Sequence, residues 1–297
     1  MLNTILDSIK TEAGSLGLAG EHLIQLASAT LAEDLGGGVD TTSVATIAPD
    51  QVSVANFVSR ADGVAAGIIV AKAVMALACN GDVEFVETLS EGSLIKPGTT
   101  ILSARGNSQG LLLAERSALN FLCHLSGIAT VTNHWVTAIA GTKAKIRDTR
   151  KTTPGLRELE KFAVRMGGGT NHRFSLSDAA MIKDNHVIAA GGIAPAFKRI
   201  RNKFPDLAIE VEVDHIDQLA EALAAGADLI LLDNMSVEEC TEAVHFVAGR
   251  ARLEASGGIS FDTALAYAKT GVDFLAIGAL THSAPNLDIG LDLMMES

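Results

Sequence analysis

The chain has 297 residues, 23 Lys plus Arg against 35 Asp plus Glu, and a formal charge of −12 at pH 7. That length suits one large domain or two of ordinary size, and a surface this acidic argues against nucleic acid or an anionic membrane as partner, because both would be repelled. The opening "MLNTILDSIKTEAG" lacks a basic segment followed by an apolar core, and no run approaches the ~20 apolar residues of a membrane span, so the expectation is a soluble cytoplasmic protein.

In chain order, a helical opening from about Asn3 to Leu35 leads into "EDLGGGVDTTS". Short strand-like runs follow, "QVSVANFVSR", "DGVAAGIIV", "DVEFVETL" and "GTTILSARG", separated by Gly, Pro and Asn, and they predict an α+β domain with a mostly antiparallel sheet. A long helical stretch, "LLLAERSALNFLCHLSGIATVTNHWVTAIA", then links this part to the rest. Cys79, Cys123 and Cys240 are far apart and lack metal-ligand spacing, so they read as buried reduced thiols.

From Ala144 onward the pattern changes. The runs "AKIRD", "AAMIKDN", "LAIEVEVDH", "ADLILLDN", "ARLEASGG" and "VDFLAIGA" alternate with amphipathic stretches, which is the cadence of βα units around a parallel sheet. Open doubly wound sheets and barrels both fit. The run "IEVEVDH" favours a barrel: Glu210, Glu212 and Asp214 share one face, which helices would desolvate in a doubly wound sheet but which could stay wet or meet a cation inside a barrel mouth. Six strands are convincing where a closed barrel of this type has eight, so an incomplete, open α/β barrel is expected. The expected domains are 1–112 and 113–284, with 285–297 returning to the first.

In barrels of βα units, chemistry collects at the C-terminal strand ends. Here those ends carry Arg147-Asp148, Lys183-Asp184, Glu212 with Asp214, Asp233-Asn234, Ser256-Gly257-Gly258 and Gly278. Strand ends are often polar simply because they are exposed, but two cationic, two anionic and two glycine-bearing ends form a set. Glycine after a late strand lets backbone N–H groups meet a phosphate, although a lone Gly-Gly is more often a plain tight turn. Glu212 and Asp233, on adjacent strands, could share a hard cation such as Mg²⁺, or pair instead with Lys183 or Arg150. His172, His186 and His215 read as hydrogen-bonding residues, without zinc spacing. Nine basic residues crowd into the 31 positions from Lys143 to Arg173, a local patch that suits a small anionic ligand. Of these, Arg157, Lys161 and Arg165 fall at helical spacing and are expected on a solvated helix face.

The stretches "RDTRKTTPGLR", "GGGTNHR", "MIKDNH", "EVEVD", "LLDN", "ASGGI" and "GVDFLAIGALTHS", with upstream "EDLGGGVDTTS" and "ERSALNFLCHLSGIAT", closely resemble the quinolinate phosphoribosyltransferases over nearly the whole chain. Phe162 and Met181 depart from the Tyr and Leu common there. The resemblance implies an N-terminal α/β sandwich domain followed by an incomplete α/β barrel of about six to seven strands, and a homodimer. It implies transfer of phosphoribose from phosphoribosyl pyrophosphate to the ring nitrogen of quinolinate, with Mg²⁺ and loss of CO₂, in NAD biosynthesis. It further implies that Thr149, Arg150, Lys151, His172 and Arg173 hold quinolinate, with Arg116 reaching the neighbouring subunit's site. Lys151 and Lys183 would face pyrophosphate, Glu212 and Asp233 the ribose and Mg²⁺, and Ser256, Gly257, Gly258, Gly278, Ala279 and His282 the 5′-phosphate.

This chemistry accounts for the basic cluster, because guanidinium forks match carboxylates and lysines suit phosphates. Competing readings are a related phosphoribosyltransferase for another heteroaromatic acid, a Schiff-base aldolase barrel with Lys183 as nucleophile, and a non-catalytic phosphate sensor.

Overall fold

The computed structural model describes residues 1–295. Their elements in chain order are α1 (Leu2–Ser15), α2 (Gly20–Leu35), α3 (Thr41–Thr46), β1 (Val52–Ser59), β2 (Gly63–Val64), α4 (Ile68–Ala78), β3 (Val83–Thr88), β4 (Leu94–Ile95), β5 (Thr100–Asn107) and α5 (Ser108–Ala138). There follow β6 (Lys145–Arg147), α6 (Arg157–Met166), β7 (Ala180–Ile182), α7 (Asp184–Ala190), α8 (Ile193–Lys203), β8 (Ile209–Val213), α9 (Gln218–Ala225) and β9 (Leu229–Asp233). The last are α10 (Val237–Val247), β10 (Arg252–Ser256), α11 (Ala264–Lys269), β11 (Phe274–Ala276), α12 (Ala279–His282) and β12 (Ile289–Met295).

The chain divides into two compact units. Met1–Val131, Glu158–Gly167 and the residues from Ala284 onward form the first, Thr132–Arg157 and Gly168–Ser283 the second. The divide thus falls inside α5, where the sequence pattern suggested 112/113. The first unit also takes α6, a segment that local patterning assigned to the barrel.

In the first unit a four-stranded antiparallel sheet has the order β12-β1-β5-β3. The C-terminal strand β12 pairs with β1 from Ser59↔Ile289 to Ser53↔Met295. The helices α1, α2 and α4 pack on one another. The run "DGVAAGIIV" does not form one strand: only Gly63–Val64 pairs, and a helix starts at Ile68. Gly67 supplies a left-handed residue (φ 92°) at the N-cap, and the Glu91 carboxylate accepts the backbone N–H groups of Gly67 and Ile69. With those N–H groups satisfied, the Ala-rich continuation outweighs the β-branched Ile-Ile-Val start.

Helix α6 also differs from the sequence reading. Lys161 is fully buried instead of solvated, Arg165 donates to the Leu16 carbonyl at 2.8 Å, and Glu160 lies 2.9 Å from His124 Nε2. The basic spacing here serves packing inside the first unit. Cys79 and Cys240 are buried and Cys123 is half-buried, all as free thiols. No described helix is long and apolar enough to cross a membrane.

The second unit holds a six-stranded parallel sheet of order β6-β11-β10-β9-β8-β7. From β7 to β11 each strand lies beside its successor, without the reversal of a doubly wound sheet, and β6 joins β11. This is circular barrel order opened between β6 and β7; the free edge of β6 carries one parallel bridge, from Arg147 to Thr170 in the segment that precedes β7. Along β8, Ile209, Val211 and Val213 turn into the apolar core. The alternate residues Glu210 and Glu212 face the barrel interior as the period of two requires. Glu210 does not stay wet, however: it is 3% exposed and sits beside His172.

Candidate active site

The C-terminal strand ends of the second unit enclose a cleft of about 700 Å³. From β6 come Thr149, Arg150 and Lys151, and from the segment before β7 come His172 and Arg173. Lys183 follows β7, Glu212 ends β8 and Asp233 ends β9. The last two strands deliver Ser256, Gly257 and Gly258, then Gly278, Ala279 and His282. Every site residue expected in this unit therefore lines one cleft. Arg116 belongs to the first unit, where it is exposed on α5.

Two guanidinium groups dominate one side. The Arg150 Nε is buried and makes no hydrogen bond among the described residues. Arg173 donates from Nη1 to the Ala179 carbonyl at 2.8 Å, which leaves the rest of its fork available. Burial, and then the like charge of Arg150, lower the Arg173 pKa. Two partly desolvated cations that repel one another are a site awaiting negative charge.

Opposite them lie acids and lysines. Lys183 Nζ donates to Glu212 Oε2. Burial raises the Glu212 carboxyl; Lys183 opposes that shift, while Asp233 and Asp214 reinforce it. Burial likewise raises Asp233, against the pull of Lys183 and Lys151. Carboxylates that burial and mutual repulsion destabilise gain from a divalent cation, and their oxygen donors suit a hard one. The Lys183 ammonium, 45% exposed and bound to a carboxylate, is built as an ion-pair partner and not as the desolvated amine of a Schiff-base enzyme.

The glycine turns are shaped by close approach. Gly257 and Gly258 have φ of 85° and 65°, in the left-handed region. A Cβ on Gly278 would lie 3.0 Å from Lys151 Cδ and 3.3 Å from His282 Nε2. The Lys151 backbone is itself tied down, since Thr281 Oγ1 donates to its carbonyl at 2.8 Å.

Beneath the arginines is a buried cluster that sequence reading passed over. His172 Nε2 lies between two carboxylates, 2.7 Å from Glu210 Oε2 and 3.5 Å from Glu254 Oε1, and the nearer contact lies off the ring's N–H axis. Arg147 Nη1 donates to Glu254 Oε2. His172 with Glu210 and Glu254 has the composition of a metal site. The hydrogen bonding argues otherwise: Nδ1 accepts the Arg173 backbone N–H at 2.7 Å, so Nε2 is the nitrogen that carries a proton and has no lone pair for an ion. This contact ties the His172 ring to the Arg173 backbone, and the same ring lines the cleft. Asp148 holds the same segment by accepting the His172 N–H at 2.8 Å. Glu254 also lines the cleft. Its sequence signal was an acid at an inward position of "RLEAS", three residues before Gly257.

Residues 128–292 match the family model described as quinolinate phosphoribosyl transferase, C-terminal domain, and residues 40–126 match that of the N-terminal domain. The nicotinate-nucleotide pyrophosphorylase [carboxylating] of Mycobacterium leprae is 49% identical over 267 residues, covering 89% of this chain and 94% of that one. A probable enzyme of the same name from Bacillus subtilis is 41% identical, with coverage of 89% and 91%. The crystal structure of NadC from Streptococcus pyogenes superposes with a TM-score of 0.87 at 40% identity, covering 91% of this chain and 96% of that one.

Proposed function

This chain belongs to the quinolinate phosphoribosyltransferase family, and from that membership we propose how the cleft performs the family's reaction. The enzyme transfers phosphoribose to the ring nitrogen of quinolinate and releases pyrophosphate and CO₂, leaving nicotinate mononucleotide for NAD biosynthesis. What supports the assignment of roles is a single observation: two desolvated guanidiniums, two lysines, two raised carboxylates and two glycine turns all line one cleft.

On this reading Arg150 and Arg173 grip the two carboxylates of quinolinate, with Thr149 and Lys151 beside them, and thereby aim the ring nitrogen at the sugar. The pyridine nitrogen has no proton to lose, so its attack on C1 of the ribose needs no general base. The barrier falls through positioning and through charge: Lys151 and Lys183 meet the negative charge that grows on departing pyrophosphate. Glu212 and Asp233 hold the ribose hydroxyls and favour the cationic sugar carbon. Backbone N–H groups at Ser256, Gly257, Gly258, Gly278 and Ala279, with His282, receive the 5′-phosphate.

The donor set of Glu212 and Asp233 fits Mg²⁺, which would neutralise phosphate charge when bound. In the homodimer of this reading, Arg116 of each chain completes the quinolinate site of the other. The test is direct: purified protein with quinolinate, phosphoribosyl pyrophosphate and Mg²⁺ forms nicotinate mononucleotide and CO₂, whereas nicotinate in place of quinolinate gives little product. Equal turnover of nicotinate would refute the diacid site.

A further inference from the structure

The reaction leaves one atom without a source. When the carboxylate beside the ring nitrogen departs as CO₂, the carbon–carbon bond breaks and its electron pair stays on ring carbon C2 as an ylide. That carbon must then gain a proton. Lys151 and Lys183 are committed to pyrophosphate, Glu212 and Asp233 to the sugar, and arginines do not give up protons at neutral pH.

We propose that Glu254 is the acid that protonates C2. Its side chain lines the cleft that holds Arg150 and Arg173, lies 3.5 Å from His172 Nε2, and is 0% exposed. One oxygen, Oε2, is taken by Arg147, while Oε1 accepts no hydrogen bond among the described residues. Oε1 is thus the oxygen free to carry a proton. Around it stand Arg147 from β6, His172 from the segment before β7, and a second carboxylate, Glu210 from β8, which Arg173 also faces. The register neighbours of Glu254 on β9 and β11, Leu231 and Phe274, carry no charge. Oxygens of the two buried carboxylates lie within 4.8 Å of one another, and like charges so close favour a proton held by the pair. Burial, with Glu210 beside it, pushes the Glu254 carboxyl up to about 7.

The step balances without an added reagent. The Glu254 O–H bond breaks, a C2–H bond forms, and the ylide is trapped before it can recapture CO₂. The resulting carboxylate takes a proton from solvent, one per turnover. A second cavity of about 330 Å³, lined by Arg147, His172 and Glu210, reaches the same cluster and gives water a route to it.

This inference rests on the phosphoribosyl-transfer reading, and the experiment separates the two. Quinolinate labelled in the carboxylate next to nitrogen is mixed with phosphoribosyl pyrophosphate, Mg²⁺ and enzyme, and pyrophosphate and labelled CO₂ are timed independently by rapid quench. In Glu254→Gln, CO₂ release slows about 100-fold, the scale of a lost general acid, while pyrophosphate release slows far less and quinolinate mononucleotide accumulates. Equal slowing of both products, or no slowing, overturns the role. If the variant does not fold, the native enzyme still decides: the ratio of CO₂ to pyrophosphate release falls as pH rises through about 7, and a ratio constant from pH 6 to 9 overturns it. Native enzyme that released no pyrophosphate would fail the underlying reading instead.

Discussion

Asn234 and Gly257 contend for the same space: a Cβ on Gly257 would lie 2.1 Å from Asn234 Oδ1. Both residues also have positive φ, 54° and 85°. The two strand ends β9 and β10 are thereby locked together, with the Asn234 N–H donating to the Ser256 carbonyl at 2.8 Å. Gly257→Ala should cost about 2 kcal/mol or more, from the strained backbone and the clash. It should also raise the KM for phosphoribosyl pyrophosphate. Thermal unfolding and steady-state kinetics read both, and an unchanged melting point would contradict the packing argument.

The exclusion of a metal from the buried cluster makes a contrast between two residues. Glu212→Gln should raise the Mg²⁺ concentration needed for half-maximal activity about 10-fold or more, because a carboxylate donor is lost. His172→Gln should leave that concentration unchanged and raise the KM for quinolinate. A shift in Mg²⁺ dependence for the His172 variant would show that the ring nitrogen serves an ion after all.

Asp178 ties the loop that carries Arg173, accepting the N–H groups of Phe174 and Ser175 at 2.7 and 2.8 Å. Burial opposes its charge, but these donors outweigh that and hold the carboxyl below its usual 3.8. A lowered acid keeps its contribution above its unfolded value and loses it as pH falls through the folded one. Quinolinate affinity should therefore feel no loss from Asp178 between pH 5 and 8. Asp178→Ala should weaken quinolinate binding several-fold across that whole range, measured by titration calorimetry.

Hybrid dimers test the placement of Arg116. Arg116→Ala and Lys183→Ala homodimers should both be nearly inactive, since each lacks one part of every site. Mixed after reversible dissociation, they should regain about a quarter of native activity, because half the random dimers carry one intact site of two. No recovery in verified hybrids would mean that Arg116 acts within its own chain, or not at all.

How far the sequence reached depended on what kind of signal each residue carried. The six parallel strands were legible because β-branched runs recur between amphipathic stretches; Lys183, Glu212, Asp233, Ser256, Gly257, Gly258 and Gly278 followed from their C-terminal ends, whereas Thr149, Arg150, Lys151, His172, Arg173, Ala279 and His282 came from the family resemblance. Helix α4 was not, because Ile68, Ile69 and Val70 read as strand while the carboxylate that caps their helix, Glu91, lies 24 residues from Gly67. Lys161 read as solvated because burial of a lysine depends on partners that spacing does not reveal. Glu210 and Glu254 were missed as a buried pair for the same reason: His172 and Arg147 reach them from distant segments, and only tertiary contact brings the four together.

The central claim is that paired guanidiniums select a pyridine diacid beside an activated sugar phosphate. Arg173→Ala measures it most directly, through the KM for each substrate in turn. The account predicts a rise for quinolinate of about 30-fold or more, the scale of a lost buried charge contact, with a change of less than about threefold for phosphoribosyl pyrophosphate. Equal rises for both substrates, or a larger one for the sugar phosphate, would contradict it.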